Sequence, residues 1–191
     1  MPNALIRSFV AVELNDERVL QNIIDVQQTI LRTGTDLKLV EAQNIHITLR
    51  FLGEIRQERV QEIIEQMKDI RFSAFRVEFK GLGVFPGPHR PSVVWVGIEK
   101  GAKELSQIFE TLEHKLRALG VESDRRGFTP HLTIARVRSG RNRDELVHVV
   151  SELQEKEFGS INVDSVRLKK STLTPSGPVY ADLHKVEAMS I

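Results

Sequence analysis

Cysteine is missing from this 191-residue chain. Its absence excludes disulfides, thiolate nucleophiles and cysteine-based zinc sites together. Long apolar runs are missing too: nothing approaches the ~20 residues of a membrane-spanning helix. The formal charge of +1 is too small to mark the whole chain as a nucleic-acid binder. No Gly-Lys-Ser/Thr opens a helix to cradle a nucleotide phosphate. No Gly-x-Ser-x-Gly elbow supports a serine hydrolase. His-x-x-x-His and His-Glu-x-x-His are absent, and two His alone fall short of the three ligands of catalytic zinc, so no metal or other cofactor is expected. The start, Met1-Pro2-Asn3-Ala4-Leu5-Ile6-Arg7, lacks the order of a secretory signal, so a cytoplasmic protein is expected.

What is present is globular material, 40% apolar and 28% charged, of a length for one domain or two small lobes. Alternation predicts a strand over 5–14. A helical stripe follows over 17–31, entered through Asn15-Asp16 and ended by Gly34. A short strand near 37–40 precedes a strand over 45–51, with a turn at Gly53. A second helix spans 57–69, and a strand spans 73–81. The segment Gly81–Pro91 reads as a stiff Pro/Gly loop. The second half runs strand 93–98, helix 101–119, strand 131–137, helix 143–156, strand 159–170 and strand 179–187. The repeated order suggests duplication: a single domain, 1–191, of two pseudo-symmetric lobes. The expected fold class is α+β, with antiparallel sheets and helices packed outside.

One pattern occurs twice: His46-Ile47-Thr48-Leu49 and His131-Leu132-Thr133-Ile134, offset by 85 residues. Random placement of six His and nine Thr would give about 0.3 His-x-Thr triplets, so two copies with matching apolar flanks exceed chance. Positions i and i+2 of a strand share a face. Each copy therefore presents one imidazole and one hydroxyl together, while Ile47, Leu49, Leu132 and Ile134 face a core.

An Arg follows each copy, Arg50 and Arg136. The stretch from Arg125 to Arg143 holds six Arg (125, 126, 136, 138, 141 and 143) and no acid. A local positive field there would draw phosphates. The other four histidines, His89, His114, His148 and His184, read as surface residues.

Two imidazoles titrating near neutrality can serve as general acid and general base. Thr48 and Thr133 could donate to non-bridging phosphate oxygens, and Arg136 could meet developing charge. The symmetry of the motifs leaves open which His gives and which takes the proton. Arg136 raises a parity problem: three residues from Thr133, it would face the other way in an ideal strand. A twist, a bulge or its long reach is needed.

These motifs resemble the paired His-x-Thr signatures of the 2H phosphoesterase superfamily. Within it the chain is similar to the RNA 2′,3′-cyclic phosphodiesterases, also called 2′-5′ RNA ligases. The strongest segments are 44–53 and 128–136. Arg7–Val12, Gly83–Pro86 with Arg90-Pro91 and Trp95–Gly97, and Ser171 with Gly177–Tyr180 add to them. The resemblance implies a bilobal fold with two antiparallel sheets lining a central groove that holds both motifs. It implies metal-independent hydrolysis of a terminal RNA 2′,3′-cyclic phosphate to a 2′-phosphomonoester. It makes His46 the proton donor and His131 the acceptor, and it supports Arg136 in the site. The implied partner is RNA ending in a cyclic phosphate, tRNA halves included, with 2′-5′ ligation as the reverse chemistry. No membrane partner is expected, and the chain is expected to be a monomer. Two rival functions are an RNA-end binding module without turnover and a phosphodiesterase of small cyclic nucleotides.

Overall fold

The computed structural model describes residues 5–124, 127–175 and 177–190. Arg125 and Arg126 of the arginine-rich stretch lie outside them. In chain order the elements are β1 (Leu5–Glu13), α1 (Glu17–Leu31), β2 (Leu37–Leu39), β3 (His46–Arg56), α2 (Gln57–Met67), β4 (Phe75–Phe85), β5 (Val93–Lys100), α3 (Ala102–Ala118), β6 (Leu132–Val137), α4 (Arg143–Glu152), β7 (Glu157–Val163), β8 (Ser165–Thr174) and β9 (Gly177–Glu187). The first helix starts where the sequence places it: the Asp16 carboxylate accepts from the backbone N–H of Arg18 and Val19 at 2.9 Å.

The strands form one nine-stranded sheet in the order β7-β4-β5-β6-β3-β1-β8-β9, with β2 also on β6, and every named pairing is antiparallel. The two expected sheets are its halves. They meet between β3 and β6, where a single residue pair, Ile47 with Leu132, joins them. Both His-Thr strands therefore flank the seam.

The division of the chain between the halves differs from the sequence order. After α2 the chain crosses, and β4 pairs with β5 and β7. After β7 it crosses back, and β8 pairs with β1. The expected single strand over 159–170 is thus two strands, broken at Asp164, that belong to opposite halves. The helices are exchanged as well. Helices α1 and α4 pack together, α1 against β6 and β7 and α4 against β4, whereas α2 and α3 pack together against β3.

Glycine explains two further differences. The expected Pro/Gly loop over 81–91 is strand in its first five residues, since β4 continues to Phe85, and is loop from Pro86 on. Gly81 has φ +77°, and a Cβ there would stand 2.5 Å from the Gln154 carbonyl oxygen; at Gly83 a Cβ would lie 2.1 Å from the Trp95 ring. The glycines let strand and helix end close in and the indole lie flat, rather than breaking the strand. Gly53 likewise sits inside β3, at φ +71°, where the pairing with β1 skips Leu52. Helix α4 stops at Glu152, four residues short of the expected end.

One apolar core lies between the sheet and the helices. It contains Ile47, Leu49, Leu132 and Ile134, as the alternation of the motifs requires. The other face of the sheet carries the motif histidines and threonines.

Candidate active site

The two motifs are anchored alike. His46 Nδ1 bonds the Asn44 carbonyl oxygen at 2.8 Å, and His131 Nδ1 bonds the Thr129 carbonyl oxygen at 2.7 Å. A carbonyl can only accept, so Nδ1–H is the donor in each ring. Each neutral imidazole thus keeps Nε2 unprotonated and available. His46 and Thr48 are partly buried on one side of the seam, and His131 and Thr133 on the other. With Ile47 opposite Leu132, the antiparallel register sets His46 level with Thr133 and His131 level with Thr48.

A bulge answers the parity problem of Arg136. Along β5, Val93, Val94 and Trp95 pair with Arg136, Ala135 and Thr133, so Ile134 is the extra residue. Val93 and Trp95 share a face, and therefore Thr133 and Arg136 do too. The bulge leaves two successive buried residues, Ile134 and Ala135, before exposed Arg136. It is held by Gln27 of α1, whose buried Nε2 donates to the carbonyl oxygens of Ile134 and Val40 at 2.8 Å each.

The same irregularity occurs in β3, where Val10 pairs with Arg50 and Ala11 with Thr48, leaving Leu49 extra. Arg50 consequently turns into the core. It makes an ion pair with Glu113 of α3 and donates to the carbonyl oxygens of Phe51 and Glu122. The Arg that follows the first motif therefore belongs to the core, and the position matching Arg136 is Phe51, 47% exposed.

Aromatic side chains complete the site. Phe9 stacks on His46 at 4.9 Å between centroids, and Tyr180 meets the same imidazole edge-on at 5.4 Å. Phe85 meets His131 edge-on at 5.0 Å and stacks on Trp95 at 5.1 Å. Sequence reasoning places none of these four in the site, although one signal was available. The chain has a single Trp and a single Tyr, and both flank a motif histidine.

Burial is also what sets the imidazoles. It lowers His46 from 6.5 to about 4, opposed by the Asn44 bond, while Lys169 lowers and Glu13 raises it further, and the charge of His131 lowers it. The two rings thus feel each other across the seam. His131 is lowered by burial, with the Thr129 bond opposing. Tyr180 is raised by burial, and the positive charges of Arg136 and Arg7 partly reverse that. Arg136 thus reaches the field of the residue that packs on His46.

Beside His46 lies a charged network missed at the sequence level. Glu13 is the cross-strand partner of His46, and Lys169 pairs with Glu13 and with Asp182 at 2.7 Å. Arg167 joins the same two carboxylates. Burial would raise the Asp182 carboxyl, but Lys169 and Arg167 together hold it below its usual range.

Among the other histidines, His89, His114 and His148 are exposed, as expected, and His148 pairs with Glu152 at 3.4 Å. His184 is partly buried and its pKa lowered, by burial first and then by Lys68. Among the described residues, no three His, Asp or Glu side chains gather in a way that could hold a metal ion. No helix among them is long and apolar enough to cross a membrane.

A curled antiparallel sheet with a His-x-Thr strand on each side of one seam defines the class, the 2H phosphoesterases. Within that class the chain belongs to the RNA 2′,3′-cyclic phosphodiesterase, or 2′-5′ RNA ligase, family. The family described as AKAP7 2′5′ RNA ligase-like domain matches residues 8–187. An RNA 2′,3′-cyclic phosphodiesterase of Aeropyrum pernix is 45% identical over 165 residues, covering 86% of this chain and 94% of the relative. One of Methanothermobacter thermautotrophicus is 36% identical over 180 residues, covering 93% and 96%. Among solved structures, TT0787 of Thermus thermophilus superposes with a TM-score of 0.77 at 27% identity, covering 95% of this chain and 97% of that one. E. coli LigT complexed with 3′-AMP shares the fold, with a TM-score of 0.80 at 24% identity and coverage of 97% and 99%.

Proposed function

We propose that this protein hydrolyses terminal RNA 2′,3′-cyclic phosphates to 2′-phosphomonoesters by general acid/base catalysis without a metal. The observation that carries this reading is the pair of identically anchored imidazoles, one on each side of the seam and each with Nε2 free. Relatives named RNA 2′,3′-cyclic phosphodiesterase, one of them 45% identical, support it. We read the chain as one domain of two pseudo-symmetric lobes, cytoplasmic and monomeric, acting on RNA ends such as those of tRNA halves.

In the proposed step, water attacks phosphorus in line with the departing 3′-oxygen. The new P–O bond forms as the P–O3′ bond breaks. His131 Nε2 takes the proton from water, and protonated His46 gives its proton to the 3′-oxygen. The 2′-oxygen keeps the phosphate. Thr48 and Thr133 hydroxyls donate to the non-bridging oxygens, and Arg136 offsets the charge that grows there. An RNA 5′-hydroxyl in place of water would give a 2′-5′ bond by the same displacement.

Donor and acceptor are assigned by family resemblance. In the free protein the deeper burial of His46 favours its neutral form, so the required ionic form, His46 protonated and His131 neutral, is a minor one. An anionic phosphate in the groove favours protonation of both rings and raises its share.

The test is a product analysis. RNA ending in a 2′,3′-cyclic phosphate is incubated with the protein in excess EDTA, and the end group is identified. A 2′-phosphomonoester is expected. Binding without turnover, a 3′-phosphomonoester product, or activity abolished by chelator and restored by metal would sink the reading.

A further inference from the structure

We infer that Lys38 and Arg138, which flank Arg136, form a second phosphate subsite that takes the internucleotide phosphate preceding the cyclic end. The inference rests on the reading of the site above and extends it from a reactive phosphate to a strand of RNA.

The argument begins with register. Leu37, Lys38 and Leu39 of β2 pair with Val137, Arg136 and Ala135 of β6. Leu37, Leu39, Ala135 and Val137 all pack with the core, so Lys38 and Arg136 lie together on the opposite face. The bulge at Ile134 brings this face into line with Thr133. Arg138, two residues beyond Arg136, continues the row, and its backbone N–H is held by the Asp36 carbonyl oxygen at 2.9 Å. All three cationic residues are exposed.

Lys38 and Arg136 are therefore like charges directly opposite each other on neighbouring strands, an arrangement that disfavours the folded state. Elsewhere on this sheet Lys169 and Arg167 are matched by the carboxylates of Glu13 and Asp182. Among the described residues none of Lys38, Arg136 and Arg138 has a carboxylate within ion-pair distance, although exposed Asp36 lies nearby in sequence. An uncompensated cation row continuous with the Thr133 site is suited to an anion supplied from outside. Arg138 lies two residues, about 7 Å, beyond Arg136, so the Lys38–Arg138 pair begins one short step from the reactive phosphate. A single-stranded RNA that enters with its cyclic phosphate between the threonines carries its next phosphate along this row. A mononucleotide 2′,3′-cyclic phosphate has no such group. The subsite thus selects oligonucleotide ends over free cyclic nucleotides.

The experiment compares wild type with Lys38→Gln, Arg138→Gln and the double variant. Turnover is measured on cytidine 2′,3′-cyclic phosphate and on a trinucleotide with the same cyclic end, between 50 and 200 mM salt. Binding of a labelled trinucleotide ending in a 2′-phosphate is measured in parallel. The kcat/KM preference of wild type for the trinucleotide is expected to fall about tenfold in the double variant, through KM. Each lost phosphate contact should flatten the log–log salt dependence of binding by about 0.7. A preference and a salt slope unchanged by both substitutions would overturn the inference, as would equal losses on both substrates. If wild type hydrolyses neither substrate but binding of the trinucleotide still depends on Lys38 and Arg138, the subsite stands and the catalytic reading fails.

Discussion

Both motif imidazoles lie against two aromatic rings, but only His46 has a network of paired charges beside it. The contrast is sharp because the backbones correspond so closely. Each imidazole is tied to the carbonyl two residues before it, and each strand bulges one residue after its threonine. Ala11 lies opposite Thr48 where Trp95 lies opposite Thr133. His46 has Glu13 as its cross-strand partner and lies against Phe9 and Tyr180, whereas His131 lies against Phe85 and Trp95. Phe51 stands where the other half has Arg136. The imidazole–hydroxyl pairs are thus duplicated and their surroundings are not. Two identical imidazoles acquire different proton affinities because each is buried to a different depth among different neighbours.

The largest effects should come from the reagents themselves. His46→Ala and His131→Ala are each expected to cost about 10²–10⁴ in kcat without loss of fold. Near-wild-type turnover by either would end the two-histidine mechanism. The assigned roles can be separated with a cyclic substrate whose 3′-oxygen is replaced by sulfur, since a thiolate leaves without a proton. That substrate should restore turnover to His46→Ala and not to His131→Ala; the opposite pattern would exchange the roles.

The bulges supply the next comparison. In β3 the turned-in residue is Arg50, buried against Glu113; its counterpart in β6 is Ala135, which carries no charge. Glu113→Ala leaves the Arg50 charge buried without its partner and should cost about 3–5 kcal/mol of stability. The double variant Arg50→Ala, Glu113→Leu should recover most of that loss in denaturant unfolding, because the β6 half already does without the pair. Failure to recover would show that the guanidinium bonds to Phe51 and Glu122 are what hold the β3 bulge.

The histidines also make stability depend on pH, and unequally. A histidine with a depressed folded pKa is neutral in both states above 6.5, so its contribution is complete there. As pH falls from 6.5 towards 4 the unfolded chain takes up the proton first, and stability declines. For His46 the loss amounts to about 3 kcal/mol at pH 4. His46→Asn should flatten this part of the stability curve, and His131→Asn should do so less. In kinetics, both imidazoles are lowered, so the singly protonated free enzyme is most abundant below pH 6.5. The kcat/KM bell should peak there and fall towards alkaline pH. A peak well above 7 would contradict the burial of both rings.

The smallest expected effect concerns Gln27, which bonds the bulge carbonyl beneath Arg136. Gln27→Leu should cost about 1–3 kcal/mol, chiefly through the Val40 carbonyl, since the Ile134 carbonyl keeps its bond from the Val40 N–H. It should also lower kcat more than it raises KM, by loosening Arg136 on the groove face. Unchanged kinetics in a destabilised variant would limit Gln27 to a role in the fold.

Legibility differed by the kind of interaction. Helices α1 and α3 were readable because each carries an apolar stripe over about four turns. The motif strands were readable because His46, Thr48, His131 and Thr133 alternate with core residues. The glycines at 53, 81 and 83 misled, since the same residue type that ends a strand also permits a bulge or a close ring contact. The facing of Arg50 is illegible for a related reason: one extra residue reverses every later side chain. Nothing local distinguishes its guanidinium from that of Arg136. The partner that does so, Glu113, lies 63 residues away.

By itself, the sequence determined the proposed reagents: two imidazoles and two hydroxyls, each pair set on one face of a strand by the period of two, above a core of Ile and Leu. It determined their equivalence as well, through the common offset. Tertiary structure alone decided how they differ. The crossing of β4 and β8 to opposite halves, the bulges that expose Arg136 and bury Arg50, and the separate linings of the two imidazoles all depend on contacts between residues far apart in the chain. Proton affinity and side-chain facing follow from burial and register, which no local pattern of residues can express.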